Sequence, residues 1–326
     1  MAKLSPRRVL TYLAVAGLST VLAILVLNNI YLPYHKNWTP ISKELYDVIS
    51  PSSYRYILNQ PDLCEKKRPY LVLMIPVTLR ETEARTAIRK TWGHESLTSG
   101  VTILSFFVLG QPVQNNPTLQ LQLERESKEY WDIIQMDFVD TYQNLTIKTI
   151  MIMNWIAKYC QRAQYAMKID ADTFLNVPYL VNYLHAKGES SRENYITGSV
   201  IRDGHPKRNS LSKWFLSEDI YPDTSYPTYV SGAAYVFSTD LALKIYLASR
   251  FVQPVPLEDV YVGLCLRVLG VKPVYSTRFL RLRNLFEVRK LKYDRCTFDS
   301  RITVNGFKPQ YLLKIWYDFQ KARFTC

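Results

Sequence analysis

From Tyr70 onward the chain alternates short, uniformly apolar runs with longer amphipathic stretches. Tyr70–Ile75 is apolar and stops at Pro76, which predicts a strand buried on both faces. Thr78-Leu79-Arg80-Glu81 fits a capping box, predicting a helix to about Trp92, closed by Gly93. Further strands are predicted at Val101–Leu109, Asp132–Met136, Gln164–Ile169, Tyr195–Ile201 and Tyr229–Phe237. Helices are predicted at Leu145–Cys160, Leu257–Leu269 and Gln310–Phe319. Strands alternating with helices predict an α/β domain, with a mainly parallel sheet covered by helices. There is no internal repeat and no low-complexity segment.

The N-terminal pattern is different. Val9–Leu27 is an uncharged apolar run of 19 residues, close to the ~20 that span a bilayer core. Lys3, Arg7 and Arg8 precede it, and no charge follows until Lys36. That asymmetry predicts a cytoplasmic tail at 1–8, a signal anchor at 9–27 and a lumenal remainder. The rival is a cleaved signal peptide, whose apolar region is shorter and ends at small residues. Here Asn28, Asn29, Ile30, Tyr31 and Leu32 follow. Residues 28–66, with Pro33, Pro40, Pro51 and Pro61 and no sustained period, predict a stem. The domain is expected over 67–326. Sequons at Asn37 and Asn144 agree with a lumenal setting.

Composition narrows the function. The chain has 326 residues and a net charge of +13, from 41 Lys+Arg against 28 Asp+Glu. Such an excess suits nucleic acid, a membrane surface or an anionic small substrate. A lumenal domain without a run of five like charges is a poor nucleic-acid binder, so an anionic substrate is the better expectation. Five cysteines, at 64, 160, 265, 296 and 326, are too few for a disulfide scaffold. Cys64/Cys160 and Cys265/Cys296 are the preferred pairs, with Cys326 left over, although spacing leaves the connectivity open.

Three groups carry candidate chemistry. Asp170-Ala171-Asp172 ends an apolar strand, where ligands bind in parallel sheets. Two carboxylates there suit a hard cation, Mn²⁺ or Mg²⁺, beside a diphosphate. The plain rival is a solvated Asx turn. Glu258-Asp259 opens a helix, where acidic residues complement the helix dipole or supply a general base. Glu81, Arg85 and Arg89 share a helix face; they form either a surface ion-pair ladder or a phosphate contact. Lys148 allows the same two readings. No Gly-x-Ser-x-Gly, His-Glu-x-x-His, Walker or dinucleotide fingerprint occurs, and only His35, His94, His185 and His205 are available to a hydrolase.

The ordered motifs resemble the β-1,3-galactosyltransferase family, which includes β-1,3-N-acetylglucosaminyltransferases and is related to the fringe enzymes. They are Arg85–Gly93, Phe106–Gly110, Asp132–Ile134, Asp137–Phe138, Asp140–Thr149, Met167–Asn176, Lys213–Phe215, Tyr226–Gly232 and Leu257–Leu266. The likeness runs from about Cys64 to Cys326 with motif order preserved. It implies a GT-A fold, a type II Golgi membrane anchor, a UDP-sugar donor and a glycan acceptor on glycoprotein or glycolipid. It also implies inversion, giving a β1,3 linkage. By the match, Asp172 ligates Mn²⁺ directly, Asp170 sits near ribose and metal, and Asp259 is the base. Arg85, Arg89 and Lys148 match positions lining the donor cleft. Glu258, Trp214 and Gly232 fall in the acceptor region.

Three departures stand out. Asn305 follows Ile302-Thr303-Val304 where relatives usually carry a metal-binding His. Val230 and Ala234 replace a frequent Cys and Gly. Glu258 before Asp259 resembles the galactosyl branch, which favours UDP-galactose and a β-linked N-acetylhexosamine acceptor. UDP-GlcNAc or UDP-GalNAc transfer is the near alternative. A catalytically silent lumenal binding partner is the distant one.

Overall fold

The computed structural model describes residues 39–94, 100–280 and 293–321. The predicted anchor at 9–27, the Asn37 sequon and Cys326 lie outside them. No helix among the described residues is long and apolar enough to cross a membrane.

In chain order the strands are β1 (Tyr56–Leu58), β2 (Leu71–Pro76), β3 (Ile103–Gln111), β4 (Ile133–Val139), β5 (Tyr165–Ile169), β6 (Thr173–Leu175), β7 (Ile196–Ile201), β8 (Tyr229–Ser238), β9 (Val274–Tyr275), β10 (Phe279–Leu280) and β11 (Thr303–Asn305). The helices are α1 (Lys43–Asp47), α2 (Leu63–Lys67), α3 (Thr82–Arg89), α4 (Pro117–Tyr130), α5 (Leu145–Tyr159), α6 (Val177–Lys187), α7 (Asp240–Ala248), α8 (Glu258–Leu269), α9 (Arg295–Asp299) and α10 (Pro309–Lys321).

Eight of these strands form one sheet, in the order β1-β4-β3-β2-β5-β8-β7-β9. β4, β3, β2 and β5 run parallel, while β8 is antiparallel to both neighbours. Alternation along each strand sends side chains to two apolar layers. Val72, Met74, Phe106 and Ala166 pack with α5, α7 and α8. Leu71, Leu73, Phe107 and Met167 pack with α6 and α10. Both faces are covered, so β2 is buried along nearly its whole length. This is the α/β architecture expected from the pattern.

Several expectations need correction. The helix expected to open at the Thr78 capping box, α3, begins at Thr82 and ends at Arg89. The Glu81 carboxylate does accept the Thr78 N–H, at 2.6 Å, but it closes a turn ahead of the helix. Helices α4, α6 and α7 were not foreseen. The stem expected over 28–66 is, from Thr39 on, largely part of the folded body. β1 pairs antiparallel with β4, and Ile49, Pro51 and Cys64 are buried.

Cys64 and Cys160 are bridged, with Cα atoms 5.2 Å apart, as the preferred pairing had it. The pairing Cys265/Cys296 is not made. Cys265 is a buried free thiol on α8, and Cys296 is disulfide-bonded elsewhere. The first bridge spans 96 residues of sequence, a large loop to close in the unfolded chain. Replacing both cysteines by serine is expected to lower stability by about 2–4 kcal/mol, read by denaturant unfolding.

Candidate active site

β5 lies between β2 and β8 and ends at Ile169, so Asp170 emerges where the strand order changes direction. The Asp170 N–H donates to the Ala233 carbonyl at 2.9 Å, and the Thr173 N–H donates to the Asp170 carbonyl at 3.1 Å. That turn feeds β6, which pairs antiparallel with β11 so that Asn305 faces Thr173. Gly306 and Phe307 N–H groups donate to the Asp172 carbonyl at 2.9 and 2.8 Å. The fold therefore brings Asp170, Asp172 and Asn305 together from positions over 130 residues apart in the chain.

The donor set suits a hard cation, since it offers carboxylate and amide oxygens. The electrostatics agree. The Asp172 carboxyl is pushed up to about 6, first by desolvation and then by the charge of Asp170. A divalent cation between the carboxylates would reverse that shift.

A cavity of about 450 Å³ opens beside this turn. Asp170, Asn305, Gly232, Glu258, Asp259 and Trp214 all line it. Asp259 reaches it because α8 packs tightly on the start of β8. A Cβ on Gly263 would sit 2.5 Å from Tyr229 Cβ, so only glycine allows this approach. The Asp259 carboxylate accepts from the Gly232 N–H at 3.1 Å and the Val260 N–H at 2.9 Å. Burial raises its pKa, while those two hydrogen bonds act in the opposite sense. A fixed carboxylate with raised basicity at a cavity wall fits a general base.

Glu258 points inward instead. Its carboxylate accepts from Lys168 Nζ at 2.9 Å, and more weakly from Thr149 Oγ1 at 3.4 Å. Burial pushes its pKa upward and the Lys168 charge pulls it back. Gly232 lies against it: a Cβ there would stand 2.4 Å from Glu258 Oε1. Gly232→Ala is expected to displace this carboxylate and to lower kcat by about tenfold or more, read in steady-state kinetics.

Much of the remaining lining is aromatic and basic: Tyr142, Trp214, Tyr226 and Tyr229, with His205, Lys207 and Lys213. Lys213 Nζ lies 4.7 Å from the Tyr142 ring centroid and 5.8 Å from that of Trp214. The Tyr142 hydroxyl pKa is raised, by burial first and then by the Asp259 charge. Of these residues Trp214 alone was given a site role from sequence, although Tyr142, Lys213, Tyr226 and Tyr229 fall within the quoted motifs.

Arg85, Arg89 and Lys148 do not line this cavity. Arg85 is 1% exposed and pairs with Glu126 at 2.7 Å. Arg89 pairs with Glu126 and, through two nitrogens, with Asp132, and it lies over the Tyr130 ring at 4.0 Å. Lys148 donates to the Val77 carbonyl at 2.8 Å and pairs with Asp140 at 2.7 Å. Each of these three cations is engaged by an acid inside the fold, and Arg85 and Arg89 border a second, smaller cavity. The Asn144 side chain is also engaged, its amide nitrogen donating to the Val139 carbonyl at 2.8 Å. That nitrogen is the atom a glycan would join.

Comparison with known proteins follows from this geometry. The galactosyltransferase family profile matches residues 83–277, more than half of the chain. Human β-1,3-galactosyltransferase 2 is 44% identical over 275 residues, covering 84% of this chain and 64% of that protein. Mouse β-1,3-galactosyltransferase 1 is 41% identical over 275 residues, covering 84% and 81%. The chain thus spans just under two thirds of the length of the first relative. Among solved structures, an apo bifunctional glycosyltransferase, WbbM, aligns over 78% of this chain and 50% of its own, at TM-score 0.44 and 9% identity. That likeness is too distant to bear on the site. The profile match and the two close relatives agree, and the chain belongs to the galactosyltransferase family.

Proposed function

We propose that the chain is an inverting, GT-A type transferase. It moves galactose from UDP-galactose to the 3-hydroxyl of a β-linked N-acetylhexosamine. The observation that carries this reading is the convergence of Asp170 and Asp259 on one cavity. Family membership supports the reaction class. The apolar run at 9–27 supports a single-pass type II anchor, with the domain in the Golgi lumen.

The acceptor hydroxyl is a weak nucleophile, so its proton must leave as it attacks. Asp259 takes that proton. The acceptor oxygen bonds to C1 of the sugar while the C1–oxygen bond to the β-phosphate breaks, and UDP departs from the opposite face. One displacement inverts the anomeric carbon. The Gly232 and Val260 N–H groups hold the carboxylate in one orientation throughout. Tyr142 and Trp214 offer flat apolar faces on which the acceptor ring can rest. Asp172, Asp170 and Asn305 would hold Mn²⁺ or Mg²⁺, whose charge offsets that of the diphosphate when the cation is bound.

The test is a panel of UDP-sugars offered to the full-length chain with GlcNAcβ and GalNAcβ acceptors, with and without Mn²⁺. Metal-dependent transfer of galactose is the expected result. Preferential transfer of GlcNAc or GalNAc would reassign the donor. Asn305 favours one other reading, a silent lumenal binder, which predicts UDP-sugar binding without transfer. Asn305→His is expected to tighten Mn²⁺ binding measured by calorimetry; an unchanged affinity would remove Asn305 from the ligand set.

A further inference from the structure

Lys168 sits in β5 among Ala166, Met167 and Ile169, and its side chain is only 4% exposed. A lysine ammonium has three protons to donate. All three have partners here. Nζ donates to Asp170 Oδ1 at 2.7 Å, to Glu258 Oε1 at 2.9 Å and to the Gly232 carbonyl. The three acceptors belong to three segments: the turn after β5, the start of α8, and β8. Gly232 in turn gives its N–H to Asp259. Lys168 borders the cavity, but its three protons are given to protein acceptors rather than to the open space.

Buried ion pairs are weak sources of stability, and a hydrophobic replacement often serves as well. What the lysine adds here is geometry. Asp170, Glu258 and Asp259 all border one cavity, and like charges so close together would drive their elements apart. Lys168 is the cation buried among them.

We infer that Lys168 is a positioning residue that fixes the Asp259 base relative to the Asp170 end of β5. It acts through Gly232, whose carbonyl it holds and whose N–H holds Asp259. The inference rests on the proposed transferase reading. It extends that reading to a lysine at the cavity wall whose three protons are all taken by protein atoms.

The experiment compares the full-length parent with Lys168→Met, Glu258→Gln and the double variant. It measures kcat, KM for donor and acceptor, and melting temperature. Lys168→Met is expected to lower kcat about 100-fold, as misplacement by about an ångström does, with donor KM changed less than about threefold. Removing the lysine also strands the buried Glu258 carboxylate, and Glu258→Gln takes that charge away. The double variant is therefore expected to melt above Lys168→Met, while its kcat stays about 100-fold below that of Glu258→Gln. Parental kcat in Lys168→Met would overturn the inference. So would a lysine effect that disappears in the Glu258→Gln background, because the loss would then come from the stranded charge. Failure of both lysine variants to fold would make the role structural and overturn it too. An inactive parent is a separate outcome. It would remove the transferase reading, and the inference would fall with it.

Discussion

Asp259→Asn is expected to lower kcat by about 10³-fold and to leave donor KM nearly unchanged, because a positioned base contributes roughly 10²–10⁴ to proton transfer. The substitution keeps size and shape. It removes the basicity and little else. Its stability is a built-in control. Burial raises the pKa of Asp259, so the folded state favours the protonated carboxyl more than the unfolded chain does. The charged form therefore costs stability above that raised pKa, at neutral pH included. Asp259→Asn is expected to melt no lower than the parent, and lost activity then cannot be lost fold. The same shift sets the pH profile. The reaction needs the deprotonated base, so kcat/KM falls as pH drops through the raised pKa. The acid limb accordingly lies above the ~3.9 of a free aspartate. A limb at or below that value would contradict the placement of the base.

Glu126→Ala should be the most destabilising of the single changes. Glu126 holds both Arg85 and Arg89, each at 2.7 Å, at side-chain exposures of 12%, 1% and 16%. Arg89 keeps Asp132, but Arg85 loses its acid while remaining buried. Stranding a buried charge costs about 3–5 kcal/mol, or about 10 °C in melting temperature for a domain of this size. Donor KM of the folded fraction should not change, because neither arginine lines the cavity. A donor KM raised more than tenfold at an unchanged melting temperature would return these arginines to the diphosphate.

These arginines show where reading the sequence stops. Spacing of four correctly puts Arg85 and Arg89 on one helix face, although Glu81 stands at the N-cap ahead of it. It says nothing of what that face meets, and the deciding acids are 41 and 43 residues away. The strands were more legible. Tyr70–Ile75 and Gln164–Ile169 fall within one residue of β2 and β5, because burial on both faces demands a mostly apolar run, broken in β5 only by Lys168. The missed α4 has the opposite character. Its buried residues are only Leu123 and Ser127, which leaves little apolar stripe to detect. Its start was nonetheless marked, by Asn116 capping the Leu119 N–H at 3.0 Å and by Pro117. Helix α6 carries the same signature in Asn176 and Pro178.

The site divides along the same line. Asp170 and Asp259 were legible because each stands at a strand end or helix start, positions with chemical meaning in an α/β sheet. Lys168 was quoted inside a motif but given no role. Its partner Glu258 is 90 residues away, so only the pairing of β5 with β8, and of β8 with α8, makes sense of it. The one available signal was a lysine inside a strand otherwise made of Tyr165, Ala166, Met167 and Ile169, which needs a buried partner. Cys265 failed in a related way, since a buried thiol and half a disulfide look alike in sequence.

The measurement that tests the central claim most directly is product analysis by NMR. The full-length chain is incubated with UDP-galactose, Mn²⁺ and a GlcNAcβ acceptor, and both the anomeric configuration and the linked carbon of the product are read. The account predicts a β-galactosyl residue on O3. It also predicts that Asp259→Asn yields almost none of this product. An α-linked product, a linkage to another hydroxyl, or undiminished transfer by Asp259→Asn would contradict it.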